Sequence, residues 1–147
     1  MYDVVRSILQ SKGSEIHSVS PDATVTEAVR FMDSKRIGGV LVMSDGRPVG
    51  MFTERDLMRR VVALERDPRT TRIADVMTRE VVAVRPDISI DDAMAIVSQR
   101  RCRHLPVTDG GHLVGMITSG DLVHWRERDR EMHIEQLANF ITGKYPA

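Results

Sequence analysis

Val49-Gly50-Met51-Phe52-Thr53-Glu54-Arg55-Asp56-Leu57 returns as Val114-Gly115-Met116-Ile117-Thr118-Ser119-Gly120-Asp121-Leu122, a constant 65 residues further along the chain. The same offset carries Val19-Ser20-Pro21-Asp22 onto Val84-Arg85-Pro86-Asp87, so residues 16–61 and 81–126 align without a gap. A repeat of this length is one supersecondary unit whose apolar face is buried only against a twin. In a chain of 147 residues, long enough for one ordinary core, it predicts two paired half-domains with the function between the copies.

Working outward, each copy reads strand, helix, strand, strand, helix, an α+β unit. Ile16 to Val19 is a short β-prone run ended by Ser20-Pro21-Asp22. Thr24-x-x-Glu27 matches a capping box, and Val25, Ala28, Val29 and Met32 follow at the spacing of one helical face. The second copy answers with Ser89-x-x-Asp92, a weaker box partner, and with Ile90, Ala93, Met94 and Val97. Val40 to Met43 and Leu105 to Thr108 are apolar strands. The turns Ser44-Asp45-Gly46-Arg47 and Asp109-Gly110-Gly111-His112 fold them back onto Val49–Thr53 and Val114–Thr118. A second helix starts near Thr53 and near Thr118.

The resulting division is 1–15 as N-terminal helix and lead-in, 16–66 as the first repeat, 67–80 as connector, 81–126 as the second repeat and 127–147 as C-terminal helix. Polar Asp67-Pro68-Arg69-Thr70-Thr71 breaks the chain between the copies, and Ile73 to Met77 is one short helical turn. The C-terminal helix is expected over 121–142. Its charges from Arg126 to Glu131 alternate as on a solvated face, and Ile134, Leu137, Phe140 and Ile141 form an apolar stripe.

Composition excludes several classes. With 21 basic and 21 acidic residues and 4% aromatics, there is neither a global field for nucleic acid or anionic membrane nor a row of stacking rings. No apolar stretch approaches the roughly 20 residues of a bilayer span. Met1 to Arg6 shows no basic segment leading an apolar run, so no secretory signal is expected, and the single Cys102 makes no internal disulfide. A cytoplasmic location is expected. Cys102 replaces Ile37 of the first copy and reads as a small buried residue rather than a reactive thiol. His124 and His133 lack ligand spacing, so no metal is expected. No nucleophile elbow, phosphate loop or second general acid accompanies the aspartates, so the chain is not expected to be an enzyme.

The chemistry lies in the repeated Thr-x-x-Asp. A strand running straight into a helix exposes amides that favour a phosphate or sugar oxygen, and the aspartate accepts hydrogen bonds from vicinal hydroxyls. The same four residues also make a capping box, and both roles can hold together.

These paired units, with Ile73-Ala74-Asp75-Val76-Met77-Thr78 leading the second, resemble a tandem pair of cystathionine-β-synthase (CBS) domains, a Bateman module, over about residues 3–126. The resemblance implies two βαββα repeats packed through their sheets around a pseudo-twofold axis. It also implies crossed clefts for adenosine-containing ligands. Site one then combines Met51, Thr53, Arg55 and Asp56 with Thr78, Val81 and Val82 and with Arg103, His104 and Pro106. Asp56 takes the ribose, the backbone of Val81 and Val82 the adenine edge, and Thr53, Arg103 and His104 the phosphates. Site two combines Met116, Thr118 and Asp121 with Ile16, His17, Gly38 and Gly39. It lacks the cations of site one, since Gly38-Gly39 stands where the other copy has Arg103-His104, and it is expected to be the weaker. The expected function is sensing of AMP, ADP or ATP by a homodimer that signals to an unknown effector protein. The alternatives are an NAD(H) binder and, from another class, an interaction scaffold with vestigial clefts.

Overall fold

The computed structural model describes residues 3–129. It divides the chain into two compact units, one of Glu15–Ala83 and one of Met1–Ser14 with Val84–Ala147. The expected stripe at Ile134, Leu137, Phe140 and Ile141 and the residue His133 lie outside the described residues, as does the helix beyond Asp129.

The contiguous unit contains the first repeat. Strand β1 (Ser18–Val19) pairs parallel to β2 (Gly39–Ser44), which pairs antiparallel to β3 (Arg47–Thr53), and helix α2 (Val25–Lys35) crosses over between β1 and β2. The capping box at Thr24 forms in both directions: the Glu27 amide donates to the Thr24 hydroxyl at 3.2 Å and the Thr24 amide to the Glu27 carboxylate at 3.4 Å. Asp45 and Gly46 both take positive φ, as a two-residue hairpin turn with the sheet's twist requires. Val25, Ala28 and Met32 of α2 meet Val40, Val42 and Phe52 in the core, with Val29 packed against it.

The connector is integral to this unit. Ile73 and Ala74, at the start of α4 (Ile73–Val76), donate to the carbonyls of Ala23 and Pro21, while Val25 and Thr26 donate to those of Thr71 and Pro68. Two first-turn amides of α2, which no helical carbonyl can reach, are thereby satisfied. Ile73, Val76 and Met77 complete the core.

The other unit contains the second repeat: α5 (Ile90–Arg100), the hairpin β4 (His104–Asp109) with β5 (His112–Thr118), and α6 (Ser119–Asp129). The Ser89 hydroxyl accepts from the Asp92 amide at 3.0 Å, a one-way cap. The chain's first helix, α1 (Val5–Lys12), belongs here. Its Val5 and Arg6 amides donate to Ile88 and Pro86 carbonyls, the Ile90 amide donates to Asp3, and Val5, Ile8 and Leu9 are buried. The Trp125 indole N–H donates to the Asp3 carboxylate at 3.1 Å, tying α6 to the residues before α1.

At the repeat offset, residues 2–15 correspond to the connector 67–80. Each lead-in therefore packs on the copy it does not directly precede.

Two expectations are corrected. The first strand of the second copy, read as the counterpart of Ile16–Val19, shrinks to a single parallel bridge between Val84 and Val107. The reason is Pro106: at the matching Leu41 an amide donates to the His17 carbonyl, and proline has no such donor. The helix after Thr53 is α-helical only over α3 (Glu54–Asp56) and continues as a π-helical segment over Leu57–Val62. Its wide turns keep Val61 buried while Met58 and Val62, with Leu64 just beyond, stand exposed. No helix among the described residues is long and apolar enough to cross a membrane.

Candidate functional site

The strand-to-helix junction at Thr53 is held from three sides. The Asp56 amide donates to the Thr53 hydroxyl at 3.3 Å, and the Thr53 amide donates back to the Asp56 carboxylate at 3.0 Å, so the capping reading of Thr-x-x-Asp holds. The Thr78 hydroxyl donates to the other Asp56 oxygen at 2.9 Å. Arg60, one turn on, has its Nε 3.6 Å from that oxygen and donates from Nη1 to the Met77 carbonyl at 2.9 Å. Asp56 is the buried charged residue of the described chain, only 6% exposed. Burial of a carboxylate is tolerable when donors surround it, and here they do.

Thr78 reaches Asp56 because Met51 and Thr78 exchange both backbone hydrogen bonds, each at 2.8 Å. Gly50 permits this approach: a Cβ there lies 2.8 Å from the Thr78 carbonyl oxygen and from the Met77 sulfur. Met51, Thr53, Asp56 and Thr78 of the expected site one are thus brought together within one unit. Arg55 is exposed, and Val81 and Val82 are half-buried on the same chain segment.

The second junction repeats the cap with a different third partner. The Asp121 amide donates to the Thr118 hydroxyl at 3.1 Å and the Thr118 amide to the Asp121 carboxylate at 2.8 Å. Instead of a threonine, Lys12 at the end of α1 donates to the same Asp121 oxygen at 2.6 Å and to the Met116 carbonyl at 3.0 Å. Leu9 of α1 lies on Gly115, where a Cβ comes within 2.7 Å of its side chain. Lys12 and Arg60 were not among the residues expected to matter. The former lies outside the repeat, and the latter faces Trp125 in the alignment.

The remaining residues divide by unit. Arg103 and His104 border the second junction of their own unit: the Ser119 amide donates to the Arg103 carbonyl at 2.9 Å, and His104 pairs with Thr118 across the hairpin. Pro106, two residues on, is buried opposite Met116. Gly38 and Gly39 stand likewise to the first junction, with the Glu54 amide on the Gly38 carbonyl at 3.0 Å and Gly39 opposite Thr53. The Glu54 carboxylate lies against Gly38, in the space a Cβ would take. Negative charge thus lies beside the glycines, where the second copy offers arginine and histidine. Ile16 is half-buried at the entrance of β1. The His17 ring meets Phe31 edge-on, centroids 5.9 Å apart, which engages it in the unit's own packing. Burial pushes the Cys102 thiol up from its ordinary value, the direction of an unreactive thiol.

The CBS domain family model matches this chain twice, over residues 5–63 and 73–128. The CBS domain-containing protein YhcV of Bacillus subtilis (strain 168) is 34% identical over 116 residues, which cover 79% of this chain and 82% of that one. Among solved structures, a protein with CBS domains from Burkholderia ambifaria MC40-6 superposes with a TM-score of 0.85 at 40% identity, over 87% of this chain and 96% of that one. The hexameric CBS-CP12 protein from bloom-forming cyanobacteria superposes with a TM-score of 0.78 at 26% identity, over 95% of this chain and 80% of that one.

Proposed function

The chain belongs to the CBS domain family, as a tandem pair of CBS repeats, and from that premise we propose that it is a regulatory module sensing an adenine nucleotide, AMP, ADP or ATP. The observation that carries this reading is the twin junction, in which a carboxylate is fixed beside the threonine amide at a helix start. A ribose diol and a phosphate need such a pairing of acceptor and donor. Asp56, with Thr53 and Thr78, takes the ribose of the tighter site. Arg103 and His104 are the proposed cations for a phosphate, Met51, Val81 and Val82 the proposed contacts of a base, and Asp121 the carboxylate of the weaker site. Binding shifts a conformational equilibrium only by its differential affinity for two states, and a partner protein reads the shift. Assembly as a homodimer fits the apolar Met58, Val62 and Leu64, each more than half exposed, and the hexameric state named for the cyanobacterial relative supports association.

Calorimetry of AMP and adenosine on the wild type and on Asp56→Asn, Arg103→Ala and Asp121→Asn tests the reading. Asp56→Asn is expected to weaken the tighter site at least tenfold, and Arg103→Ala to weaken AMP more than adenosine. Equal losses of the two ligands in Arg103→Ala remove it from the phosphate. An unchanged melting temperature in millimolar AMP, ATP, NAD and S-adenosylmethionine leaves only the scaffold, because any ligand of the folded state raises it.

A further inference from the structure

At the second junction a cation is hydrogen-bonded directly to the carboxylate, whereas at the first the Arg60 guanidinium stands 3.6 Å from Asp56 and donates instead to the Met77 carbonyl. Lys12 aligns with Met77, an apolar residue packed on Gly50, and the close partner of Asp56 is the neutral hydroxyl of Thr78. At Asp121 the close partner is an ammonium, 2.6 Å from the carboxylate. Its position is built rather than incidental. Lys12 is the last residue of a helix whose Val5, Ile8 and Leu9 are buried, and Leu9 on Gly115 sets the height of that helix over β5. Two acceptors, the Asp121 carboxylate and the Met116 carbonyl, then fix the ammonium at the strand-to-helix junction. The side chains of Lys12 and Asp121 remain 35% and 25% exposed, so both partners stay within reach of a ligand.

We propose that Lys12 is a latch on Asp121: its ammonium occupies this carboxylate in the ligand-free chain, and a ribose diol binds there only by displacing it. The proposal rests on the reading of Asp121 as a sugar-binding carboxylate and adds what regulates it. A diol offers two neutral hydroxyl donors in exchange for one charge-assisted bond, which is the stronger kind. The nucleoside therefore competes with a directly bonded lysine at the second junction, and at the first with a threonine hydroxyl beside the more distant Arg60.

Adenosine titrated calorimetrically into the full chain tests this on the wild type, Lys12→Met, Lys12→Arg and the double variant Lys12→Met with Asp121→Asn. Methionine keeps the length of the stem and removes the charge. Adenosine binding at the Asp121 site is expected to tighten about three- to fivefold in Lys12→Met, the upper range for releasing a partly exposed ion pair. Lys12→Arg stays within about twofold of the wild type, and the double variant loses the gain. Binding in Lys12→Met that equals or falls below the wild type overturns the latch while leaving the adenosine reading intact. A gain that survives in the double variant also overturns it, because the release then does not act through Asp121. Absence of adenosine binding in all four proteins sinks the adenosine reading itself, and the latch with it.

Discussion

The Thr53–Asp56 and Thr118–Asp121 junctions share a backbone and a cap and differ in what closes them. In the first, Asp56 is buried and bridged by Thr78 on a strand-like contact that Gly50 allows. In the second, Asp121 is half-buried and bridged by the flexible end of a lysine. The contrast teaches that duplication conserved the cap, whereas the third partner came from whichever lead-in packs on that copy. A buried acceptor whose close donors are neutral, with Arg60 beside them at 3.6 Å, is a fixed part of the fold, and a half-exposed ion pair contributes little to stability and can be exchanged.

The largest expected effect tests the rigidity of the two closures. Gly50→Ala places a Cβ against the Thr78 carbonyl, which is backbone and cannot step aside, and is expected to cost about 2–3 kcal/mol; Gly115→Ala meets only the end of the Leu9 side chain and should cost about 1 kcal/mol. Urea denaturation of both variants decides, and equal losses would erase the distinction. Next come the carboxylates. Asp56→Ala removes a cap and strands the half-buried Thr78 hydroxyl, for about 2 kcal/mol, against about 1 kcal/mol for Asp121→Ala. Chemical denaturation giving the reverse order would mean that burial does not separate the junctions. The smallest effect concerns the third partners. Thr78→Val is expected to cost about 1.5 kcal/mol and Lys12→Met no more than about 1 kcal/mol. A larger loss for Lys12→Met, seen as a fall in melting temperature, would make the lysine a structural strut.

Much of each unit was legible in the residues. The Thr24 box and the stripe Val25, Ala28, Met32 announce α2, and the Asp45-Gly46 and Gly110-Gly111 turns announce the hairpins, because caps and positive-φ turns are local devices with local signatures. The Thr-x-x-Asp junctions were legible for the same reason. The partners from the lead-ins were less so: Thr78 follows from the family resemblance, whereas Lys12 meets Asp121 across more than a hundred residues of chain and leaves no periodicity behind. The missing strand before Val84 was written in Pro106, whose lost donor matters only once its neighbour is known. Nothing in Leu57–Val62 distinguishes a π-helical segment from the α-helix expected there.

The exchange of lead-ins bears on the order in which the molecule is made. The unit of Glu15–Ala83 is continuous in sequence, whereas the other is assembled from the segments that precede and follow it along the chain. During synthesis the first of these units has all its parts once residue 83 has emerged. Helix α1 is translated before either repeat, yet among the described residues the hydrogen-bond acceptors of its first amides lie at Pro86 and Ile88, and the strand it covers lies at His112–Thr118. At about 5–20 residues per second, the strand on which Leu9 packs follows Lys12 by about 5 to 20 seconds, and a segment of eight residues is marginal as a helix until that strand is there to cover it.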